Sequence, residues 1–174
     1  MGVMYDYFAA PSDEAAATTI DQPGGPGTGP RLPMPFKDLV AKYGMESALD
    51  FLKPQLLLSD HGFYVESTKG FDPVADLGAI ATLLTGHDLD PDYHLIAERD
   101  GGERLVLWIS DGTREALEHA TDDTLAAAAQ RWVQNQAQWR TIDPEPVAHL
   151  LTQLAELART AAARSERLYC WVCV

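Results

Sequence analysis

The spacing of apolar residues changes within the segment 143–174. Leucines and alanines recur at three- and four-residue steps along 147–161, which places them on one face of a helix. Asp143 precedes two early prolines and is the predicted N-cap of that helix. The run 168–174 is wholly apolar, rich in aromatic and β-branched residues, and too short for another helix. We therefore expect a long helix that covers an interior C-terminal strand.

Four other segments have the composition of β-strands. Residues 2–10 are rich in aromatic residues, although Asp6 interrupts them, and residues 63–67 form a second short run. The segments 93–97 and 105–109 flank Asp100, Gly101 and Gly102 and predict a hairpin. Together with the last run, these segments predict a single α+β domain over 1–174. Its sheet would have about five strands, mixed or antiparallel, with helices packed on it.

Helix signals occupy much of the remaining chain. A Ser-Asp-Glu cap predicts a helix to about Ile20, and Asp72-Pro73 and Gly86 bound a clearer one. The segment 36–58 predicts two short helices, because Gly44 interrupts its helical spacing and Pro54 ends it. Two further helices are expected after the hairpin, with the following residues as their caps: Thr113 and Thr121. The proline- and glycine-rich segment 21–35 is expected to be a loop with no phosphate-binding pattern.

The charge balance restricts the partners that the chain can bind. It has 174 residues with 13 basic and 26 acidic side chains, which gives a formal net charge of −13. This charge opposes binding to nucleic acid and to anionic membranes. Two interpretations of the acidity remain open: it keeps the protein soluble, or it forms a surface complementary to a basic protein partner.

Cysteine content and hydropathy predict the compartment. There are two cysteines, with no charged-then-apolar leader at the start of the sequence, which predicts a reducing cytoplasm. No apolar run approaches the ~20 residues that a membrane-spanning helix needs. We therefore expect a cytoplasmic protein without a membrane association.

Cys170 and Cys173 form the one CxxC pattern of the chain. In a strand, residues i and i+3 point to opposite faces and lie roughly 10 Å apart, too far for a disulfide or a shared metal. The predicted strand therefore favours two small buried hydrophobic residues. A thiol or zinc function would require that this segment is not a strand.

The segment 87–94 contains the densest group of metal-ligand residue types. Asp88, Asp90 and Asp92 match the start of a calcium loop, but Tyr93 stands where that loop needs Gly and Arg99 where it needs Glu. An acidic turn without metal is the favoured interpretation, and no cofactor is predicted. The five histidines are scattered and form no catalytic pattern: His61, His87, His94, His119 and His149.

Two tryptophans on the helix that follows Thr121 are candidates for binding. Helical spacing would place Trp132, Asn135, Gln136 and Trp139 on one face. Such a face is typical of a pocket or a binding hot spot, and equally of a helix that packs two large rings at the margin of the core. A pocket there would be within reach of other polar groups if the fold brought them close, and the candidates are Asp6, Tyr5 and His94.

The layout of the chain resembles the YfbM-like family of small bacterial proteins. The resemblance comes from Met1-Gly2 leading into an aromatic strand, the Leu83-Leu84-Thr85-Gly86 helix end, and a long final helix followed by a strand. The loop at 21–35 and the Cys-Trp-Val-Cys ending depart from that layout. The alanine-rich composition also resembles that of actinobacterial proteins. The resemblance implies no established activity and therefore no functional residues.

Three functional hypotheses follow from these patterns. The first is an acidic cytoplasmic interaction protein that masks another protein, as an immunity protein does. The second is a small-molecule-binding protein or hydrolase-type enzyme with a pocket near Trp132 and Trp139. The third is a thiol or zinc protein that uses Cys170 and Cys173.

Overall fold

The structure is a computed structural model that describes residues 3–22, 25–26, 36–45, 65–69, 71–89, 93–136 and 143–174. The strands are β1 (Met4–Ala10), β2 (Val65–Lys69), β3 (Tyr93–Arg99), β4 (Arg104–Ile109) and β5 (Arg167–Cys173). The helices are α1 (Asp13–Ala17), α2 (Phe36–Tyr43), α3 (Ala75–Thr85), α4 (Asp111–His119), α5 (Asp122–Asn135) and α6 (Glu145–Ala163). Short 3-10 turns follow α1 at Thr18–Asp21 and β3 at Asp100–Gly102.

The strands form an antiparallel sheet in the order β2-β1-β5-β4-β3. An α+β fold with an antiparallel sheet and packed helices is therefore confirmed. The predicted strand positions are matched in part. The last strand spans Arg167–Cys173 instead of 168–174. The second strand, Val65–Lys69, continues past its predicted end at 67, and its predicted start at 63 and 64 lies outside the described residues.

The sheet separates two hydrophobic layers. On one face Leu168, Cys170 and Val172 of β5 join a large core with residues of α3, α4, α5 and α6. On the other face Tyr169 and Trp171 join a smaller core with residues of α1 and the turn after it. Alternate residues of β5 are thus buried on opposite sides, which explains why its sequence is apolar without interruption.

The junction between α6 and β5 follows the predicted change of period. The N-cap of α6 is Pro144, one residue after the predicted Asp143. The Oδ1 of Asp143 accepts a hydrogen bond from the backbone N–H of Glu145 at 3.0 Å, so Asp143 still satisfies a free donor at the start of α6. α6 buries a leucine and alanine stripe and ends at Ala163. Ser165 then adopts a φ of 57°, which turns the chain into β5.

Two predicted features of the middle helices are wrong. Thr113 is not the cap of α4, because the Oγ of Ser110 accepts from the backbone N–H of Thr113 and α4 begins at Asp111. α5 begins after Thr121 as predicted, but it ends at Asn135. Gln136 has an extended backbone at the C-cap, so the helical face proposed for Trp132 and Trp139 does not continue through Gln136.

The hairpin of β3 and β4 is present at the predicted turn. Asp100, Gly101 and Gly102 all have positive φ angles. The pairing register shifts between Leu95 and Ala97, so β3 contains a β-bulge that the sequence did not indicate.

Several predicted features lie outside the described residues: the second helix of 36–58, most of the loop at 21–35, Asp90, Asp92 and Trp139. Among the described helices, none combines the length and the apolar character required to cross a membrane.

Candidate interaction surface

Trp132 belongs to the core and not to the protein surface. Its side chain is 3% exposed and its ring lies 5.7 Å from that of Phe71, between centroids. Asn135 is exposed and Gln136 is half-buried at the end of α5. Because Trp132 is packed, this part of α5 offers amide groups to solvent and no aromatic surface from Trp132. A binding role for the four predicted residues stays a prediction, since Trp139 lies outside the described part of the chain.

The sheet separates Asp6 and His94 from Trp132. Asp6 is fully buried on the α1 side, where its register partner on β5 is Trp171. His94 is on the same side and stacks on Trp108 with a centroid separation of 5.0 Å. Trp132 is in the core of the opposite face. The suggestion that Asp6 and His94 reach a pocket near Trp132 is therefore wrong.

Tyr5 lies on the same face as Trp132, but its hydroxyl group is directed to the start of α3. It donates a hydrogen bond to the Oδ2 of Asp72 at 3.3 Å. Burial, and then the negative charge of Asp72, raises the pKa of Tyr5 to about 12. The phenol therefore stays protonated at neutral pH and acts as a structural donor.

The two cysteines are packed on opposite faces of β5. Cys170 is buried in the large core, while Cys173 packs at the edge of the smaller one. Burial, and then the charge of Asp6, raises the pKa of Cys170 well above its ordinary value. This placement disfavours a disulfide or a shared metal between them. Throughout the described ranges, no group of three or more ligand side chains has the geometry of a metal site.

Negative charge is concentrated in one part of the chain. Residues 71–130 contain thirteen of the 26 acidic side chains and three of the 13 basic ones, so this segment carries −10 of the net −13. It includes α3, β3, β4, α4 and the first two turns of α5. Asp88, Asp111, Glu115, Asp122 and Asp123 are all exposed. We refer to these five exposed residues together as the acidic surface.

All three arginines of this segment already form ion pairs. Arg99 contacts Asp21 at 3.1 Å and Arg104 contacts Asp100 at 2.6 Å. Arg114 contacts three carboxylates of its own helix, and the shortest distance is 2.6 Å, to Glu118. Within the described residues, Asp88, Asp122 and Asp123 have no ion-pair partner. The segment therefore has no described basic side chain left to neutralise them.

Carboxylates are also close together at the start of α3. The Oδ1 of Asp72 accepts from the backbone N–H groups of Val74 and Ala75, and the Oδ2 of Asp76 accepts from the N–H of Asp72. Burial raises the pKa of Asp76, and the nearby charge of Asp72 adds to this, while the backbone hydrogen bond opposes it. These two carboxylates serve the helix start and are less available to a partner.

An open groove of about 410 Å³ lies beside the acidic surface. The end of α3 and the turn after it form one side, and α4 with the start of α5 forms the other. Its lining residues are Leu84, Thr85, Leu89, Gly112, Glu115, Ala116, His119, Ala120, Thr121 and Thr124.

Arg159 of α6 fixes one wall of this groove. Its Nε donates to the carbonyl of Glu118 at 3.2 Å and its Nη2 donates to that of Ala120 at 2.7 Å. These bonds satisfy carbonyl groups at the end of α4 and hold the α4–α5 turn against α6.

The position of the acidic surface could have been predicted from the distribution of charge along the sequence, which the net charge alone does not give. A count of acidic and basic residues by segment would have placed the charge in 71–130. The pairing of Arg99 with Asp21 depends on the fold, whereas Arg104 and Arg114 pair with carboxylates within four residues of them in the sequence.

No protein-family model, curated protein or solved structure matches the chain. The resemblance to the YfbM-like family stays a prediction.

Proposed function

We propose that the protein is an acidic interaction module that binds and masks a basic region of another protein. The single observation that carries this proposal is the charge arrangement of 71–130. Its three arginines are paired within the molecule, while Asp88, Asp122 and Asp123 face solvent. A field of one sign attracts a partner of the opposite sign and speeds the encounter. The same field repels phosphate groups, so nucleic acids and anionic membranes are not the proposed partners.

If the negative charge served only to keep the protein soluble, its amount would matter and its position would not. Charge-matched variants separate these two functions. One triple variant changes the acidic surface: Asp88→Lys, Asp122→Lys and Asp123→Lys. The control changes three exposed acidic residues of other helices: Asp38→Lys, Glu145→Lys and Glu156→Lys. Both variants move the formal net charge from −13 to −7.

The measurement is affinity capture from native lysate of the source cells, followed by titration of each variant with the purified captured protein. The wild type and the control variant are expected to bind with similar affinity. The affinity of the acidic-surface variant for the captured protein should be at least about tenfold lower, since close charge pairs at interfaces have large coupling energies. Equal loss in both variants, or capture of no stoichiometric protein, would contradict the proposal.

The small-molecule alternative is supported less well by the geometry. Trp132 is packed against Phe71, and the groove described above lies beside α4 and not beside Trp132. That function stays a prediction for Trp132, Asn135, Gln136 and Trp139. The thiol or zinc alternative is disfavoured by the opposite orientations of Cys170 and Cys173.

A further inference from the structure

We infer that the groove between α3, α4 and α5 binds an apolar side chain from a basic segment of the partner protein. This inference rests on the proposed function and names the contact that makes it specific. Charge alone attracts many basic proteins, whereas an apolar anchor in a matching groove distinguishes among them.

Four apolar residues line the groove, and we call them its apolar floor. Leu84 and Leu89 come from the α3 side, and Ala116 and Ala120 come from the α4 side. All four are partly exposed, so a partner that covered them would remove apolar surface from water. The small alanine side chains leave room above α4, and the volume of about 410 Å³ is within the range of about 300–1,000 Å³ typical of ligand sites.

The polar groups of the lining are already engaged within the chain. The Oγ1 of Thr85 donates to the carbonyl of Ala81 at 3.0 Å. The Nδ1 of His119 lies 2.9 Å from the carbonyl oxygen of Glu115. Thr121 and Thr124 form a reciprocal capping box at the start of α5, with bonds of 2.9 and 3.3 Å. Because the hydroxyl groups of Thr85, Thr121 and Thr124 donate within the chain, they are not free donors for a polar ligand, which favours an apolar occupant.

Three carboxylates lie in the lining of the groove or next to a lining residue in the chain. Glu115 lines the groove itself, Asp88 precedes Leu89 in the chain, and Asp122 follows Thr121. An apolar side chain that enters the groove would therefore be flanked by lysines or arginines on the partner. A second copy of this chain is not the proposed occupant, because it would bring the same negative charge to the interface.

Two variants of α4 and α5 test the groove directly. Ala116→Trp fills the groove with an indole ring. Ala126→Trp adds the same ring to an exposed position of α5 that does not line the groove, and serves as the matched control. Leu89→Ser removes part of the apolar floor without adding volume, and provides a second variant if Ala116→Trp fails to fold. Circular dichroism and the thermal midpoint verify that each variant is folded.

The probe is a fluorescein-labelled amphipathic peptide of leucine and lysine, and its control is a peptide of equal charge in which serine replaces every leucine. Fluorescence anisotropy is recorded at about 0.15 M salt, where exposed charges are strongly screened. The leucine peptide is expected to bind the wild type at least about tenfold more tightly than the serine peptide. Ala116→Trp and Leu89→Ser should remove that difference, and Ala126→Trp should preserve it.

The outcomes of these measurements distinguish the groove from the acidic surface. One outcome is that the wild type binds the two peptides equally while the acidic-surface variant binds neither. That result would support the proposed function and contradict the binding role of the groove. Equal affinity of Ala116→Trp and Ala126→Trp for the leucine peptide would also contradict the binding role of the groove. If neither peptide binds the wild type more tightly than it binds the acidic-surface variant, the groove and the acidic surface both fail.

Discussion

Asp6 and Trp171 are register partners on β1 and β5, and both side chains are buried on the face of the sheet that α1 covers. Gly25 lies directly over this pair with a φ of 83°. A β-carbon at Gly25 would overlap the Oδ2 of Asp6 and lie 2.7 Å from Cζ3 of Trp171. The burial of a carboxylate in β1 therefore depends on a glycine that is distant from it in sequence.

Gly25→Ala is expected to destabilise the protein by about 2–4 kcal/mol, because it combines a left-handed backbone with a steric clash in the core. Gly86→Ala is the matched control. Gly86 has a φ of 74°, and a β-carbon there would have no described heavy atom within 4 Å. Its cost should be about 1 kcal/mol, from backbone strain alone. Urea unfolding of both variants measures the difference, and equal losses would show that the contact with Asp6 and Trp171 is not tight.

Cys170 and Cys173 should differ in their reaction with the disulfide reagent DTNB. Burial raises the pKa of Cys170 and blocks access to it, whereas Cys173 is half-buried. The folded protein is expected to react at Cys173 and not at Cys170 until it unfolds. Cys173→Ala should abolish the native reaction and Cys170→Ala should leave it unchanged. Loss of both thiols on mild oxidation of the monomer would contradict the assignment of their side chains to opposite faces.

Tyr5 should contribute to the loss of stability at alkaline pH. Burial and the nearby charge of Asp72 raise its pKa to about 12 in the folded protein, against about 10 in an unfolded chain. The unfolded chain loses the phenolic proton first, so the free energy of unfolding falls as the pH rises from about 10 to about 12. Tyr5→Phe removes this contribution, and its unfolding free energy should fall less steeply over that range. Urea titrations of both proteins at a series of pH values give the comparison, and parallel curves would count against the assignment.

Ser110→Ala is expected to cost about 1 kcal/mol of stability, because it removes the acceptor for the first free N–H groups of α4. The bond from the N–H of Thr113 to the Oγ of Ser110 is 3.2 Å long. Ser110→Asp keeps an acceptor at the same position and should retain most of the stability. Thermal unfolding of the two variants tests the corrected cap, and a similar loss in both would indicate that the cap contributes little.

The long helix α6 was predictable because its signals are local and agree with one another. Asp143 and the prolines after it indicate the start, and apolar residues at helical spacing continue to Ala161. The cap of α4 was not predictable in the same way. Ser110 and Thr113 both have hydroxyl groups and lie three residues apart, so either one fits a helix start. The backbone angles that select Ser110 are set by its exit from β4.

Asp6 shows a different limit of sequence reasoning. The alternation along β1 marks it as unusual, since Tyr5 and Tyr7 point to the large core and Asp6 to the opposite side. Its complete burial depends on Gly25, which no local pattern connects to it. The acidic surface could be predicted only in part. Its charges can be counted in the sequence, but its unpaired carboxylates are identified by the contacts of Arg99, Arg104 and Arg114.

The position of β5 between β1 and β4 determines when the sheet can be completed during synthesis. The ribosome makes both neighbours before it makes β5, so two strand pairs with open inner edges precede the segment that joins them. Unpaired edges with aromatic side chains favour aggregation and recognition by chaperones. A nascent chain halted before Arg167 should therefore be sensitive to protease, and resistance should appear only after the whole of β5 has left the exit tunnel.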